Sequence, residues 1–199
     1  MHRKLFSQAY QFKITLLGIR PQIWRLIEVP ETYAFWDLHV AIQDSMGWLD
    51  CHLHEFEIPD PETQKPHRIG IPDDEWDDDD RRVLEGWNIP IDSYFSLENP
   101  VALYTYDFGD GWEHRVRLEG IIPREPRRKY PRCLKGARAC PPEDVGGVHG
   151  YGEFLKAIKN PRHPQHLELL EWIGGSFDPE RFNAALVRFD NPKNRLRNL

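Results

Sequence analysis

The stretch Tyr104–Glu119, YTYDFGDGWEHRVRLE, decides how this chain folds. It reads as an antiparallel hairpin with its tip at Gly109-Asp110-Gly111. Asp-Gly between two alternating runs is the strongest short-range hairpin signal, because a type I′ turn needs positive φ at both central residues. With Asp110-Gly111 as a two-residue turn, Asp107 lies opposite His114, Thr105 opposite Val116 and Leu103 opposite Leu118. Val101, Leu103, Thr105, Val116 and Leu118 then make one face, which ends in the Asp/His pair. Tyr104, Tyr106 and Phe108 share the other face with Glu113, Arg115 and Arg117. A buried face closing on Asp107 and His114 is the first place to look for catalytic chemistry.

Upstream, YQFKITLL (10–17) alternates with Tyr10, Phe12, Ile14 and Leu16 on one side, a half-buried strand. After the turn at 18–22, Ile23 to Val29 is a second strand, stopped by Pro30. The period then changes: Phe35, Leu38, Ile42 and Met46 recur at helical spacing, with His39 on the same stripe and Gly47 as the C-terminal cap. CHLHEFEI (51–58) returns to alternation and turns His52, His54, Phe56 and Ile58 to one face, toward the helix that carries His39. A proline-rich polar excursion follows, with a weak strand near Arg68 to Ile71, and ends in DDEWDDDD (73–80), a self-repelling run expected to be solvated. A turn or short helical piece is expected around Ile91 to Leu97.

Downstream, the segment from 121 to 150 carries too many prolines, glycines and basic residues for regular structure and reads as a loop wrapping back on the core. Helices are expected over Gly152 to Lys159 and Gln165 to Ile173. A last one begins at Asp178-Pro179, with Phe182, Leu186 and Phe189 as its apolar stripe. The order predicts an α+β fold: a mainly antiparallel sheet, one helix packed on it, and a helical C-terminal part. It predicts a single domain over 1–199, with a core at 8–120, the wrapping loop at 121–150 and the helical part at 151–190.

Composition narrows the classes. The chain has 199 residues, 40% of them hydrophobic, and a formal charge of −6, which argues against a generic polycationic nucleic-acid binder. No apolar run approaches the roughly 18–20 residues of a membrane-spanning helix. The N-terminal residues lack a signal-peptide core, and three cysteines do not make a secreted disulfide scaffold, so a cytoplasmic protein is expected.

Several residue sets could carry function. His39, His52, His54 and His114 with Asp107 could converge on a divalent metal such as zinc, since imidazole and carboxylate suit such ions. The same five could instead form a buried hydrogen-bonded network locking helix to sheet. Cys133 and Cys140 are too far apart in sequence for a zinc knuckle, leaving buried thiols, a disulfide or a ligand pair with His149 as readings. Glu143 and Asp144 offer two carboxylates on a constrained loop that could bind a ligand, although a structural turn is the simpler reading of the segment. Arg124, Arg127, Arg128, Lys129 and Arg132, beside Tyr130, could contact phosphates, pair with the acidic run, or be solvated. Asp107-Phe108-Gly109 matches the kinase metal triplet only by accident, since the other kinase motifs are missing.

The motifs PQIWRLIEVP, DLHVAIQDSMGW, HLHEFEI, YTYDFGDGWEH and CLKGARACPPEDVGGVHGYGEFLKAI together resemble the Ri-plasmid ORF-three-like family, also described as TnpR-type passenger proteins of insertion elements. The resemblance covers about residues 8 to 190. It implies an α+β protein of plasmids and mobile elements without an established activity. It does not imply a resolvase, for no nucleophilic serine with an arginine cluster falls at the matching positions. Two functions are therefore expected as alternatives. One is an accessory module that binds nucleic acid or a protein partner through the loop from Arg124 to Gly150. The other is a metal-dependent, hydrolase-like enzyme built on His39, His52, His54, Asp107 and His114, with Asp107 and His114 as its catalytic candidates.

Overall fold

The computed structural model describes residues 6–72, 82–197 and 199. The acidic run from Asp73 to Asp80 lies outside the described residues. β1 (Gln8–Leu16) and β2 (Trp24–Pro30) form the first hairpin, followed by α1 (Phe35–Met46), β3 (His54–Pro59), β4 (Pro66–Gly70), β5 (Val83–Glu85), β6 (Val101–Tyr106), β7 (Trp112–Pro123) and β8 (Arg132–Ala137). Three helices follow: α2 (Gly147–Lys159), α3 (His166–Trp172) and the short α4 (Pro192–Leu196). The strands make one eight-stranded sheet in the order β5-β4-β3-β6-β7-β1-β2-β8. Every pairing is antiparallel except β4 with β5. The α+β class and the mainly antiparallel sheet are as the sequence pattern predicts. Among the described residues, no helix is long and apolar enough to cross a membrane.

The core lies between α1 and one face of the sheet. Tyr10, Phe12, Ile14 and Leu16 of β1 and Phe56 and Ile58 of β3 point into it, as alternation requires. α1 answers with Phe35, Leu38, Ile42 and Met46 and ends at Gly47, whose φ of 95° closes the helix in the left-handed region. At the centre, the Phe35 ring sits 5.2 Å from Phe56, 5.6 Å from Tyr94 and 5.8 Å from Phe95.

The β6–β7 hairpin departs from the two-residue turn. Tyr106 pairs with Trp112, Tyr104 with His114 and Ala102 with Val116, so the connection spans five residues, 107–111. Tyr104 would have faced Arg117 and instead faces His114, a shift of three residues. An odd shift turns a strand over. Ala102, Tyr104 and Tyr106 therefore go inward with Trp112, His114, Val116 and Leu118, while Val101, Leu103 and Thr105 take the outer face. The cause is local chemistry at Asp107. Its backbone adopts φ 56°, its Oδ1 accepts from the amides of Gly109 (2.9 Å) and Asp110 (3.2 Å), and its carbonyl accepts from Gly111 (2.6 Å). A side-chain turn of this kind competes with, and here replaces, the tighter turn.

Two further expectations are corrected. The segment 121–150 is not all loop: β8 pairs with β2 as an edge strand. Its residues are nearly all half-exposed on both faces, so no alternation marks it. The helix expected from Asp178 does not form. Asp178 instead accepts from the Glu180 amide (3.0 Å), and Pro179 accepts from Ala139 (3.0 Å), holding the chain beside β8. Only a short 3-10 turn, Ala184–Leu186, appears there, and Phe182 lies 3.8 Å from the buried Arg25 guanidinium. Tertiary contact outweighs the local start signal.

Phe35→Ala should lower stability by about 3–5 kcal/mol, since it empties a ring-packed site at the centre of the core. Urea denaturation read by tryptophan fluorescence measures the shift, and a loss below about 1 kcal/mol would show that the site collapses around the smaller side chain.

Candidate functional site at the loop end of the sheet

The five side chains expected to converge divide into an interior group and a surface group. In the interior, the rings of His39 and His54 stack face to face, 3.4 Å between centroids and 5° from parallel. Gln43 Nε2 donates to the Tyr104 hydroxyl (2.8 Å), which lies 2.8 Å from His39 Nδ1, and His39 Nε2 lies 2.7 Å from Asp50 Oδ1. This order is self-consistent when Tyr104 donates to Nδ1 and the Nε2–H donates to Asp50. Asp50 Oδ2 then accepts from Arg195 (3.1 Å) of α4, which also pairs with Asp44 and Asp190. With both ring nitrogens engaged, His39 has none left for a metal.

His114 is fully buried, and its Nδ1 lies 3.1 Å from the Trp112 carbonyl, to which it donates. Its cross-strand neighbour is Tyr104, not Asp107. The expected Asp107/His114 pair therefore does not form, and the two catalytic candidates are separated by the turned-over strand. Burial holds the His114 imidazole down to about 4. Burial also lowers His39, against the opposing pull of Asp50, and lowers His54 strongly, helped by the stacked His39 ring. Two stacked imidazoles in a dry interior cannot both carry charge. His39 thus serves as a hydrogen-bonding connector, His54 packs by stacking and His114 bonds through Nδ1, while His54 Nδ1 and His114 Nε2 are buried without a hydrogen-bond partner among the described residues.

The surface group sits where three connections meet: 47–53 between α1 and β3, 107–111 between β6 and β7, and 138–146 between β8 and α2. These are tied to one another by direct hydrogen bonds. Asp107 N donates to the Leu53 carbonyl (2.9 Å), Cys51 N to the Tyr106 hydroxyl (3.0 Å) and Trp48 Nε1 to the Pro141 carbonyl (2.9 Å). Glu143 Oε1 accepts from Leu49 N (2.7 Å) and from the Tyr106 hydroxyl (3.2 Å), and burial raises its carboxyl above the usual range. Asp110 Oδ2 accepts from Gly146 N (3.1 Å). Gly147 closes the junction: its φ is 66°, and a Cβ there would stand 2.4 Å from the Asp110 carbonyl oxygen. Only glycine permits that approach.

Within this junction His52 Nε2 lies 3.0 Å from Asp144 Oδ1 and 3.7 Å from Asp107 Oδ2. One ligand atom from each of the three falls within 4.8 Å of the others, which makes them, among the described residues, the group able to hold a metal ion. His52 stands just outside β3 rather than on it, which is why it parts from His54, Phe56 and Ile58. Around the three lie Leu49, Leu53 and Phe108, 75%, 47% and 55% exposed.

The remaining candidates lie elsewhere. Arg124 stacks over Phe6 (4.6 Å), Arg128 pairs with Glu125 (2.7 Å), and Arg132 pairs with Glu125 (3.0 Å) and the buried Glu28. Arg127 and Lys129 are exposed beside them. Cys133 and Cys140 are free thiols, the first pushed up to about 11 by burial and the second higher still for the same reason. Among the described residues neither falls in a group of three or more that could hold a metal ion, so of the three open readings the ligand pair finds no support in this geometry. Reasoning from sequence missed Asp50 and Arg195, which no periodicity marks, and the exposed Leu49, Leu53 and Phe108. Asp144 was singled out as a loop carboxylate but not connected to His52.

Fold and site together define an α+β protein with a one-helix-covered antiparallel sheet and a polar junction at one end of it. The chain belongs to the plasmid pRiA4b ORF-3-like protein family, which it matches over residues 8–186. It is similar to the uncharacterized protein y4hQ of Sinorhizobium fredii (strain NBRC 101917 / NGR234), 38% identical over 175 residues that span 86% of this chain and 84% of that one. It is also similar to the crystal structure of MM3350, a protein of unknown function from Methanosarcina mazei Go1. There the identity is 46% and the TM-score 0.86, over 93% of this chain and 100% of the other.

The interior imidazoles set a pH dependence. The unfolded chain takes up protons near the ordinary histidine value of 6.5 whereas folded His114 resists until about 4, so its contribution to stability is complete above that first value and disappears on acidification through the window. The loss amounts to something on the order of 3 kcal/mol. Asp44, raised to about 6 by burial, pushes the other way, so His114→Gln and the natural protein should be compared by urea denaturation from pH 7 to pH 4. The variant should show the weaker acid destabilisation, and parallel curves would refute the assignment.

Proposed function

We propose that this protein is a non-enzymatic accessory module, of plasmid or mobile-element origin, that docks a protein partner at the loop end of its sheet. The observation carrying this reading is the set of exposed apolar side chains, Leu49, Leu53 and Phe108, on connections that hydrogen bonds hold in place. Scattered apolar side chains on a surface are ordinary, but these three stand on two connections joined by the Asp107 amide and the Leu53 carbonyl, and exposed apolar groups gathered together mark interaction surfaces. Preorganised loops also lower the ordering cost of association. The partner this surface suits is a protein segment offering apolar side chains.

The alternatives have less support. A nucleic-acid partner would need a run of free positive charge, but Arg128 and Arg132 are engaged by Glu125 and Glu28 and Arg124 lies over Phe6, which leaves Arg127 and Lys129 of the five. At the loop end itself, Asp110, Glu143 and Asp144 would repel a phosphate backbone. The five-residue metalloenzyme reading loses its basis, because His39, His54 and His114 are at most 2% exposed and leave no approach for substrate.

A photo-crosslinking residue in place of Phe108, compared in cells with one in place of Arg115 on the outer face of β7, tests the reading. Position 108 should give an adduct with one protein, identified by mass spectrometry, and position 115 should not. That protein, purified, should bind the natural chain at least about tenfold more tightly than the Leu49→Ser or Phe108→Ala variant. Adducts with nucleic acid, equal adducts at both positions, or none from 108 would refute it.

A further inference from the structure

We propose that His52, Asp107 and Asp144 form a binding site for one divalent first-row transition ion, zinc or manganese, at the junction of the three connections. This stands on its own geometry and does not depend on the docking reading.

The spacing fits. Nitrogen and oxygen ligands lie about 2.0–2.2 Å from zinc, so two of them subtending between a right angle and the tetrahedral angle are roughly 3.0–3.5 Å apart. His52 Nε2 is 3.0 Å from Asp144 Oδ1 and 3.7 Å from Asp107 Oδ2. An imidazole with two carboxylates is a donor set for zinc or manganese, harder than a thiolate site and softer than an all-oxygen one.

Two of the donor atoms are held without an aligned hydrogen bond, while Asp144, 69% exposed, reaches the site from the solvent side. Asp107 is divided in function: Oδ1 takes the Gly109 and Asp110 amides, while Oδ2, among the described residues, accepts no hydrogen bond and faces His52. Its side chain is only 10% exposed, which holds that oxygen in a fixed position facing His52. His52 Nε2 is itself buried and, although 3.0 Å from Asp144, has no aligned hydrogen-bond partner. A plain imidazole–carboxylate ion pair at that separation would direct its N–H along the line between the atoms. Two such atoms, 3.0 Å apart and not aligned for a hydrogen bond, have the separation of two ligands of one ion.

Charge points the same way. Among the described residues, no lysine or arginine pairs with Asp107 or Asp144, and His52 is the group that lies against both. A divalent cation supplies the missing positive charge. The two carboxylates reach the site from backbones with φ of 56° and 55°, a conformation that Asp tolerates better than most residues. Each ligand comes from a different connection, so one ion would join all three.

Isothermal titration of the purified full chain with zinc and with manganese, calcium and magnesium serving as comparisons, tests the site. One equivalent of zinc or manganese should bind, competing with protons because the imidazole must be neutral to ligate. Asp107→Asn keeps the oxygen that accepts from Gly109 and Asp110, so the loop persists while the ligand charge is lost. This variant and His52→Ala should each weaken binding by more than the roughly 10- to 100-fold typical of outer-shell changes. Circular dichroism of both variants confirms that they fold. No binding, binding at millimolar ion only, or binding undiminished in the folded variants would overturn the site. None of these outcomes bears on partner docking, which is read by crosslinking.

Discussion

The register between β6 and β7 is the constraint on which the rest depends, and Asp107 sets it. By capping a five-residue connection with its own side chain, Asp107 turns β6 so that Tyr104 and Tyr106 enter the core. Those two hydroxyls then do separate work. Tyr104 joins Gln43 to His39 beneath α1, and Tyr106 reaches the surface junction, where it meets Glu143 and the Cys51 amide. A two-residue turn would have sent both rings to the opposite face. The buried network and the loop junction would then lack their shared strand.

What could be read in the chain, and what could not, follows from where each residue's neighbours come from. β1 and α1 were legible because alternation and an apolar stripe survive in the sequence, even though α1 is buried nearly all round, with ten of its twelve residues inside and Trp36 donating to the Pro192 carbonyl of α4. His39 and His54 were turned inward correctly by the same argument. The turn was misread because Asp107 supplies a competing local hydrogen bond that the Asp-Gly pattern does not reveal. β8 was missed because an edge strand half-exposed on both sides has no period. The last helix failed because Phe182 is drawn to Arg25 and Pro179 to Ala139, contacts made across long stretches of chain. Asp144 could not be joined to His52 from sequence, since 92 positions separate them and only the folded β8–α2 connection brings them together.

The interior network also shows why clustered histidines are an ambiguous sign of chemistry. His39, with a hydroxyl on one nitrogen and a carboxylate on the other, is a neutral connector between α1, β6 and, through Asp50, the C-terminal Arg195. Its stacking on His54 fills space as two aromatic rings would. His52, two residues before His54, has escaped the strand and meets carboxylates instead. One displacement from the strand end separates a packing imidazole from one available to a ligand.

The sheet's two margins carry a consequence for the protein's behaviour in a crowded solution. An eight-stranded sheet presents rows of backbone donors and acceptors at both ends, and such rows recruit other chains. Here one margin is β5, three residues long and paired in parallel, too short to seed a growing ribbon. Beside the other, β8, runs the stretch after Pro179, held by the Ala139 amide and by Phe182 packed against Gly136. The segment that declined to become a helix thus acts as a guard rail against edge-to-edge polymerisation.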